Sequence, residues 1–435
     1  MIRAVKFPMI LFLACLACAA AGQAQSAPAQ RLRITVAQAE EIALRNNPNL
    51  SLARLTALAS HEVYRESRAA LLPSAYSNLT AVDTNNGNRI SSGALNNPII
   101  YERAAYGATV SQLITDFGRT ANVVASSRYR SEAENQNSIA TANQIKLAVD
   151  RQFYNALGAA SVLNVARQTV KARQDVADQV SVLAQNKLRS DLDLSFANTN
   201  LDQAKLLLLD TENQYSTALA GLAEILGYTE PPNFELIDDA AQTTAPEQTV
   251  EPLIAAAFAQ RPELKAQDAE LQAARRLQSA AWEQSLPSIR ALGATGQAPV
   301  RDPHITSWYG AVGVNVEIPV FTGFRIAAQS HEARLRADAE GQRLASLRNA
   351  ISRDVRTSWL ATNTAFSRLS VTASLLKQSK LALELAQTRY QLGLSSIVEL
   401  SQAQLAETEA EIANARAGYD YQLAQAVIRF ETGKQ

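Results

Sequence analysis

The side chains that could do chemistry are few and scattered. The chain has three histidines, His61, His304 and His331. Two stand in His-Glu pairs, His61-Glu62 and His331-Glu332, but neither has the second histidine that would complete a zinc-binding helix face. They read as solvated helix positions, and Asp238-Asp239 reads as solvated linker. No glycine-rich phosphate loop and no G-x-S-x-G elbow occurs. What remains is two serine–acid pairs, Ser190-x-x-Asp193 and Ser396-x-x-Glu399. Such a pair satisfies the free N–H groups that open a helix, an effect of about 1 kcal/mol per cap. A carboxylate there has a second use. Repeated around a narrow three-fold opening, one Glu399 per chain makes a ring that attracts cations. The sequence therefore predicts no catalysis, no cofactor and no metal site.

These pairs sit at breaks between helical patterns. From Gln387 a pattern rich in Ala, Leu, Gln and Arg stops at Gly393 and restarts after Ser396. A shift of 206 residues carries Leu188 onto Leu394, Ser190 onto Ser396, Asp193 onto Glu399 and Leu194 onto Leu400. A shift of 214 carries Pro48 onto Pro262, Leu50 onto Leu264, and Leu72-Pro73-Ser74 onto Leu286-Pro287-Ser288. Two prolines and their neighbours agreeing at one offset point to internal duplication. The breaks are then two helical tips of a duplicated chain.

Residues 1–24 read as a secretory signal: Arg3 and Lys6, an apolar core at Phe7–Leu16, then small residues at Ala19–Ala24. Both cysteines, Cys15 and Cys18, fall inside it, so the mature chain carries no thiol. A lipoprotein alternative, with Cys18 acylated, stays open. Formal net charge is zero, which gives no pull toward nucleic acid. No run of 18 apolar residues follows the signal, so no transmembrane helix is expected, whereas a β-barrel stays possible.

Within each half the period changes after Pro-Ser. Strands are expected at about 74–84 and 106–115, and again at about 288–297 and 309–320, where Val312, Val314, Val316 and Ile318 alternate with Gly313, Asn315 and Glu317. Four short strands cannot close a barrel alone, but three chains would supply twelve. The other reading is a small sheet on a globular core. Helical pattern then runs without proline from Arg119 to about Lys187 and from Arg325 to about Leu392, roughly 100 Å each at 1.5 Å per residue. The helices after the tips, about Leu194–Leu226 and Leu400–Glu431, are half as long and stop at Gly227 and Gly433. A second short helix must stack end to end with each, and Pro48–Leu71 and Pro262–Leu286 have suitable lengths. The expected domains are 32–227, a linker at 228–248 holding Pro231-Pro232, and 249–433, with tips at about 188–193 and 393–399.

The N-P-N-L start at Asn47 and the R-P-E-L start at Arg261, the two L-P-S boundaries, Ser111–Arg119 (S-Q-L-I-T-D-F-G-R) and the tip G-L-S-S-I-V-E-L at Gly393–Leu400 together resemble the TolC family of outer-membrane efflux proteins. The resemblance spans Leu32 to Gly433. It implies a trimer, each half of the chain giving one β-hairpin and one long helical hairpin, with a twelve-stranded membrane barrel above an α-helical periplasmic tunnel. It implies an outer-membrane exit duct of a tripartite efflux pump or type I secretion system. A periplasmic adaptor and an inner-membrane pump or secretion ATPase would dock at Lys187, Leu188, Arg189, Ser190, Gly393, Leu394 and Ser396. In the family, links between hairpins close the tip. Their Tyr and Asp correspond to Tyr390 and Asp193, and an acidic ring to Glu399. The second ring falls on neutral Gln402, the Arg of another link on Ser395, and a tip glycine on Lys187. A different class, a coiled-coil periplasmic adaptor, would also explain export and a hairpin, but not two hairpins with strands inserted between helices.

Overall fold

The structure is a computed structural model that describes residues 32–82, 103–230, 232–239, 244–297 and 306–434. The signal segment and His304 lie outside these residues. Eight helices and six strands occur among them. In the first half, β1 (Leu32–Ile34) leads to α1 (Val36–Asn46), α2 (Pro48–Ala69), β2 (Ser74–Val82), β3 (Arg103–Thr115), α3 (Arg119–Gln185) and α4 (Asp191–Ile225). The second half holds β4 (Phe234–Leu236), α5 (Glu251–Gln260), α6 (Pro262–Glu283), β5 (Ser288–Gln297), β6 (Trp308–Glu317), α7 (Arg325–Gln391) and α8 (Ile397–Thr432).

Local chemistry sets these bounds. Thr35 and Gln38 close a reciprocal cap on α1. Asn47 caps α2 and Pro48 fills its first turn, where the missing N–H costs nothing. α3 and α7 each run 67 residues. The buried positions of α3 include many small side chains, such as Ser126, Ala133, Ala156 and Gly158, which let neighbouring helices approach closely. Gly227 and Gly433, at φ +79 and +75, end α4 and α8.

α3 packs against α2 and α6 along one part and α4 and α8 along another, while α7 packs on α6 and α8. The short helices do meet end to end. Asn47 accepts from Asn49 N (2.9 Å) through its Oδ1 and donates through Nδ2 to the Ile225 carbonyl at the end of α4 (3.0 Å). At the α8–α6 joint Arg261 takes this place, 2.8 Å from Glu431 and 3.2 Å from Glu263. A Cβ on Gly227 would lie 3.0 Å from the Asn46 carbonyl, and one on Gly433 2.9 Å from Gln260 Cβ, so both joints need glycine for room as well as conformation. An apolar cluster flanks each joint. Ile34, Leu50, Phe153, Leu222, Leu226 and Phe234 surround the first, and Val250, Leu253, Leu264, Ile351 and Val355 lie near the second.

The large sheet has the order β2-β3-β5-β6, antiparallel throughout. The register aligns Ala75, Val110, Gly293 and Val312 on one face, continued by Val314 and Val316, with Leu79, Tyr106 and Trp308 toward the far end. The opposite face carries Ser74, Asn78, Thr109, Ser111, Arg290, Asn315 and Glu317. Val312 is 93% exposed, so nothing among the described residues covers the apolar face there.

Three expectations need correction. The last strand ends at Glu317 rather than 320, because Pro319 has no N–H to continue the ladder. The expected linker contains β4, which pairs in parallel with β1 (Leu32 with Phe234, Ile34 with Leu236). The helices after the tips start at Asp191 and Ile397, about a turn earlier than expected, because Ser190 and Ser396 cap them directly.

Arg261→Met is expected to lower stability by about 3 kcal/mol in denaturant unfolding, since it leaves two nearly buried carboxylates unpaired. Adding Glu431→Leu and Glu263→Leu should recover most of the loss.

Candidate functional site

The two tips lie at the ends of the helical hairpins, and their backbones match. In the first, Leu188 N–H bonds the Leu183 carbonyl at 2.8 Å and Lys187 N–H bonds Ala184 at 2.9 Å. In the second, Leu394 N–H bonds Arg389 at 2.8 Å and Gly393 N–H bonds Tyr390 at 3.0 Å. Both are helix stops with one left-handed residue, Gly393 at φ +74 and Lys187 at φ +60. Lysine there costs about 1 kcal/mol relative to glycine. Leu188 and Leu394 are 69% and 67% exposed, so each tip presents an uncovered leucine.

The serine–acid pairs behave differently. Ser190 accepts from Asp193 N–H (3.1 Å) and Asp193 accepts from Ser190 N–H (3.3 Å), a closed reciprocal cap. Ser396 accepts from Glu399 N–H at 3.4 Å, but the Glu399 carboxylate reaches back to Arg389 on α7 at 3.1 Å. The longer side chain reaches the neighbouring helix instead of its own cap.

Between the tips the central contact is Arg189 on Tyr390. The guanidinium lies 4.2 Å above the ring, and Nη2 donates to the Tyr390 carbonyl at 2.5 Å. Tyr390 is 6% exposed, and its hydroxyl is buried with no hydrogen-bond partner among the described residues. Burial raises the phenol above its ordinary pKa, and the Asp193 charge adds to this while Arg189 opposes it. Asp193 thus lies near Tyr390, but its carboxylate accepts within its own cap. Around Tyr390 pack Ala177, Val180, Ala197, Leu201, Ala386, Ile397 and Leu400, drawn from all four helices. Farther from the tip, Asn200 donates to Ser401 at 2.7 Å, and Arg173 donates to the Gln404 carbonyl (2.7 Å) and Thr408 Oγ1 (3.1 Å).

Of the residues singled out from sequence, Tyr390, Asp193, Glu399 and Arg189 gather at this seam, and Ser395 has a buried hydroxyl without a partner among the described residues. Gln402 points to solvent. Arg173, Asn200 and Arg389 were not singled out, because their partners lie on helices far away in sequence or, for Arg389, on the next helix. One signal was available for Arg189. The 206-residue shift places it on Ser395, so the arginine lacking in the second tip stands in the first. His61 and His331 lie on exposed helix faces, and among the described residues no group of His, Cys, Asp or Glu could hold a metal ion.

The family model described as outer membrane efflux protein matches residues 40–228 and 253–434. No curated protein sequence matches the chain. A membrane protein from Pseudomonas aeruginosa has a similar structure, with a TM-score of 0.80 at 21% identity over 92% of this chain and 90% of that one. The outer membrane protein VceC from Vibrio cholerae gives 0.78 at 17% identity over 92% and 96%. The open state of the Neisseria gonorrhoeae MtrE outer membrane channel gives 0.77 at 21% identity over 92% and 89%. At these identities the likeness is one of fold.

Tyr390→Phe is expected to keep or raise stability, by up to about 1 kcal/mol, because the hydroxyl is buried unpaired. Arg189→Ala should lower it by about 1–2 kcal/mol through the lost stacking and hydrogen bond. Denaturant unfolding of the purified protein measures both, and a larger loss for Tyr390→Phe would mean that the hydroxyl is bonded.

Proposed function

Because the chain belongs to the outer membrane efflux protein family, we propose that it is a passive exit duct built from three copies. The observation that carries this reading is the four-stranded sheet set between helices, with a Val312–Val316 row on one face and the polar Ser74, Asn78, Arg290, Asn315 and Glu317 beside Tyr76, Leu292 and Tyr309 on the other. Among the described residues β2 and β6 have one neighbour each. The strands alternate in direction, so β6 of one copy can pair antiparallel with β2 of the next. Three copies then close twelve strands, with the Val312–Val316 face toward lipid and the Arg290–Glu317 face toward water. Tyr106 and Trp308 suit the aromatic belt at a membrane interface.

The helices support the same closure. Leu52, Leu55 and Leu58 on α2, Leu206 and Leu209 on α4, and Leu360, Val371, Leu375 and Leu385 on α7 are exposed. Head-to-tail packing of these edges buries both and forms a tunnel, and the matching element lengths of the two halves fit an internally duplicated chain. The barrel sits in the outer membrane of a Gram-negative cell, the tunnel extends into the periplasm, and an N-terminal signal is removed on export. At the tunnel's narrow end Glu399 forms an acidic ring. Arg189 holds Tyr390 as the closing contact, in place of a link through Ser395 or a second ring at Gln402. A periplasmic adaptor joined to an inner-membrane pump or secretion ATPase docks on the exposed Leu188 and Leu394. The partner supplies the energy and selects the cargo. An adaptor would not need a sheet with two free edges between its hairpins.

Membrane fractionation is the first test. A heat-modifiable trimer in the outer membrane is expected, and a soluble or inner-membrane protein sinks the reading. In planar bilayers Arg189→Ala should raise conductance severalfold, and Glu399→Ala should weaken cation preference. Unchanged selectivity would show that Glu399 does not line the constriction.

A further inference from the structure

We propose that Arg173, Glu407, Glu411 and Lys380 form a proton-operated clasp that holds the second-half hairpin, α7 and α8, against α3. The clasp rests on the duct reading in one respect, that separating these helices widens the passage.

The geometry is that of a cross-link. Arg173 lies on α3, about 20 Å from the tip at 1.5 Å per residue, and is only 8% exposed. Its guanidinium donates to the Gln404 carbonyl and Thr408 hydroxyl of α8. Glu407 and Glu411 are one turn apart on α8, so their carboxyls share a face. From α7, Lys380 Nζ reaches Glu411 at 3.0 Å. The charged groups acting on Glu407 are therefore Arg173 from α3, Lys380 from α7 and Glu411 from its own helix. α4 adds the uncharged Asn200 and Gln203 to the cleft, about 270 Å³, that also holds Arg173, Gln404 and Thr408. Gln404 Nε2 is buried there with no partner among the described residues, so the seam is not fully satisfied even when closed.

Two carboxyls on one helix face in a half-buried seam repel when both are ionised, so holding one proton between them lowers the energy. With it, the pair carries a single negative charge beside two cations. Burial, then the neighbouring Glu411 charge, pushes Glu407 up to about 7. Releasing the proton to solvent leaves two like charges in a half-buried seam, and moving α8 away from α3 hydrates them. The closed state has the raised pKa. Closure is thus favoured below about pH 7 and weakens as pH rises through it, by at most about tenfold per pH unit for each proton released.

The test uses the full-length protein in planar bilayers from pH 5.5 to 8.5, with hydrogen exchange of residues 397–412 measured in parallel. Wild type should open more above pH 7, approaching tenfold per unit, whereas Glu407→Gln should stay at its low-pH level. Comparing the two proteins at one pH cancels the intrinsic pH dependence of exchange, so Glu407→Gln should be the more protected at pH 8 and equal at pH 6. Lys380→Met, which removes a cation and keeps the shared proton, should move the transition to higher pH. Identical pH responses in wild type and Glu407→Gln overturn the clasp. If exchange differs as expected but no channels form, the duct reading fails and the clasp stands.

Discussion

A helix of 67 residues imposes its length on everything beside it. α3 and α7 cannot bury their surface against single partners of ordinary size, so each is flanked by two shorter helices laid end to end. Such a joint places free carbonyls of one helix against free N–H groups of the next, in a buried position. Asn47 resolves this with one amide, which caps α2 on one side and satisfies Ile225 on the other. Arg261 resolves the second joint with charge. In both, a helix C-terminus meets a helix N-terminus, so the macrodipoles run head to tail and add favourably. The two spliced rods hold the tips in register with the sheet.

At the tips, the local cap chemistry is nearly the same twice, and the difference between Asp193 and Glu399 is one methylene. Asp193 is short enough to stay in its own cap. Glu399 reaches Arg389 and links α8 to α7. The stacking of Arg189 on Tyr390 then joins the two hairpins. The helices near this end are therefore joined by an ion pair within one hairpin, a stacked arginine between hairpins and the buried Arg173 farther along, instead of by a single link.

Most of the architecture was legible in the sequence because its signals are local or periodic. Asn47-Pro48, Gly227, Gly393 and Gly433 mark helix ends by backbone chemistry, and the shifts of 206 and 214 place the second-half elements from the first. β1 and β4 were not legible, since three residues are too few for a period to show and their pairing spans the length of the first half. The partners of Arg173 and Arg189 were not legible either, because contacts across some 200 residues leave no mark on neighbouring positions. The choice Glu399 makes between cap and neighbouring helix depends on where α7 lies, which cap motifs do not encode.

The alternation of strand direction in the sheet has one further consequence. Among the described residues the large sheet has an even number of strands, and its first and last run opposite ways. Any number of copies can therefore be joined edge to edge without a mismatch in direction. Strand pairing sets no circumference. In the proposed duct, the number of subunits that close the ring would be decided by the wedge angle at which the α2 and α4 side of one copy meets α7 of the next. On that proposal the helical shaft would be the gauge for the width of the sheet cylinder above it, and changes in shaft packing would alter subunit number before they altered any strand.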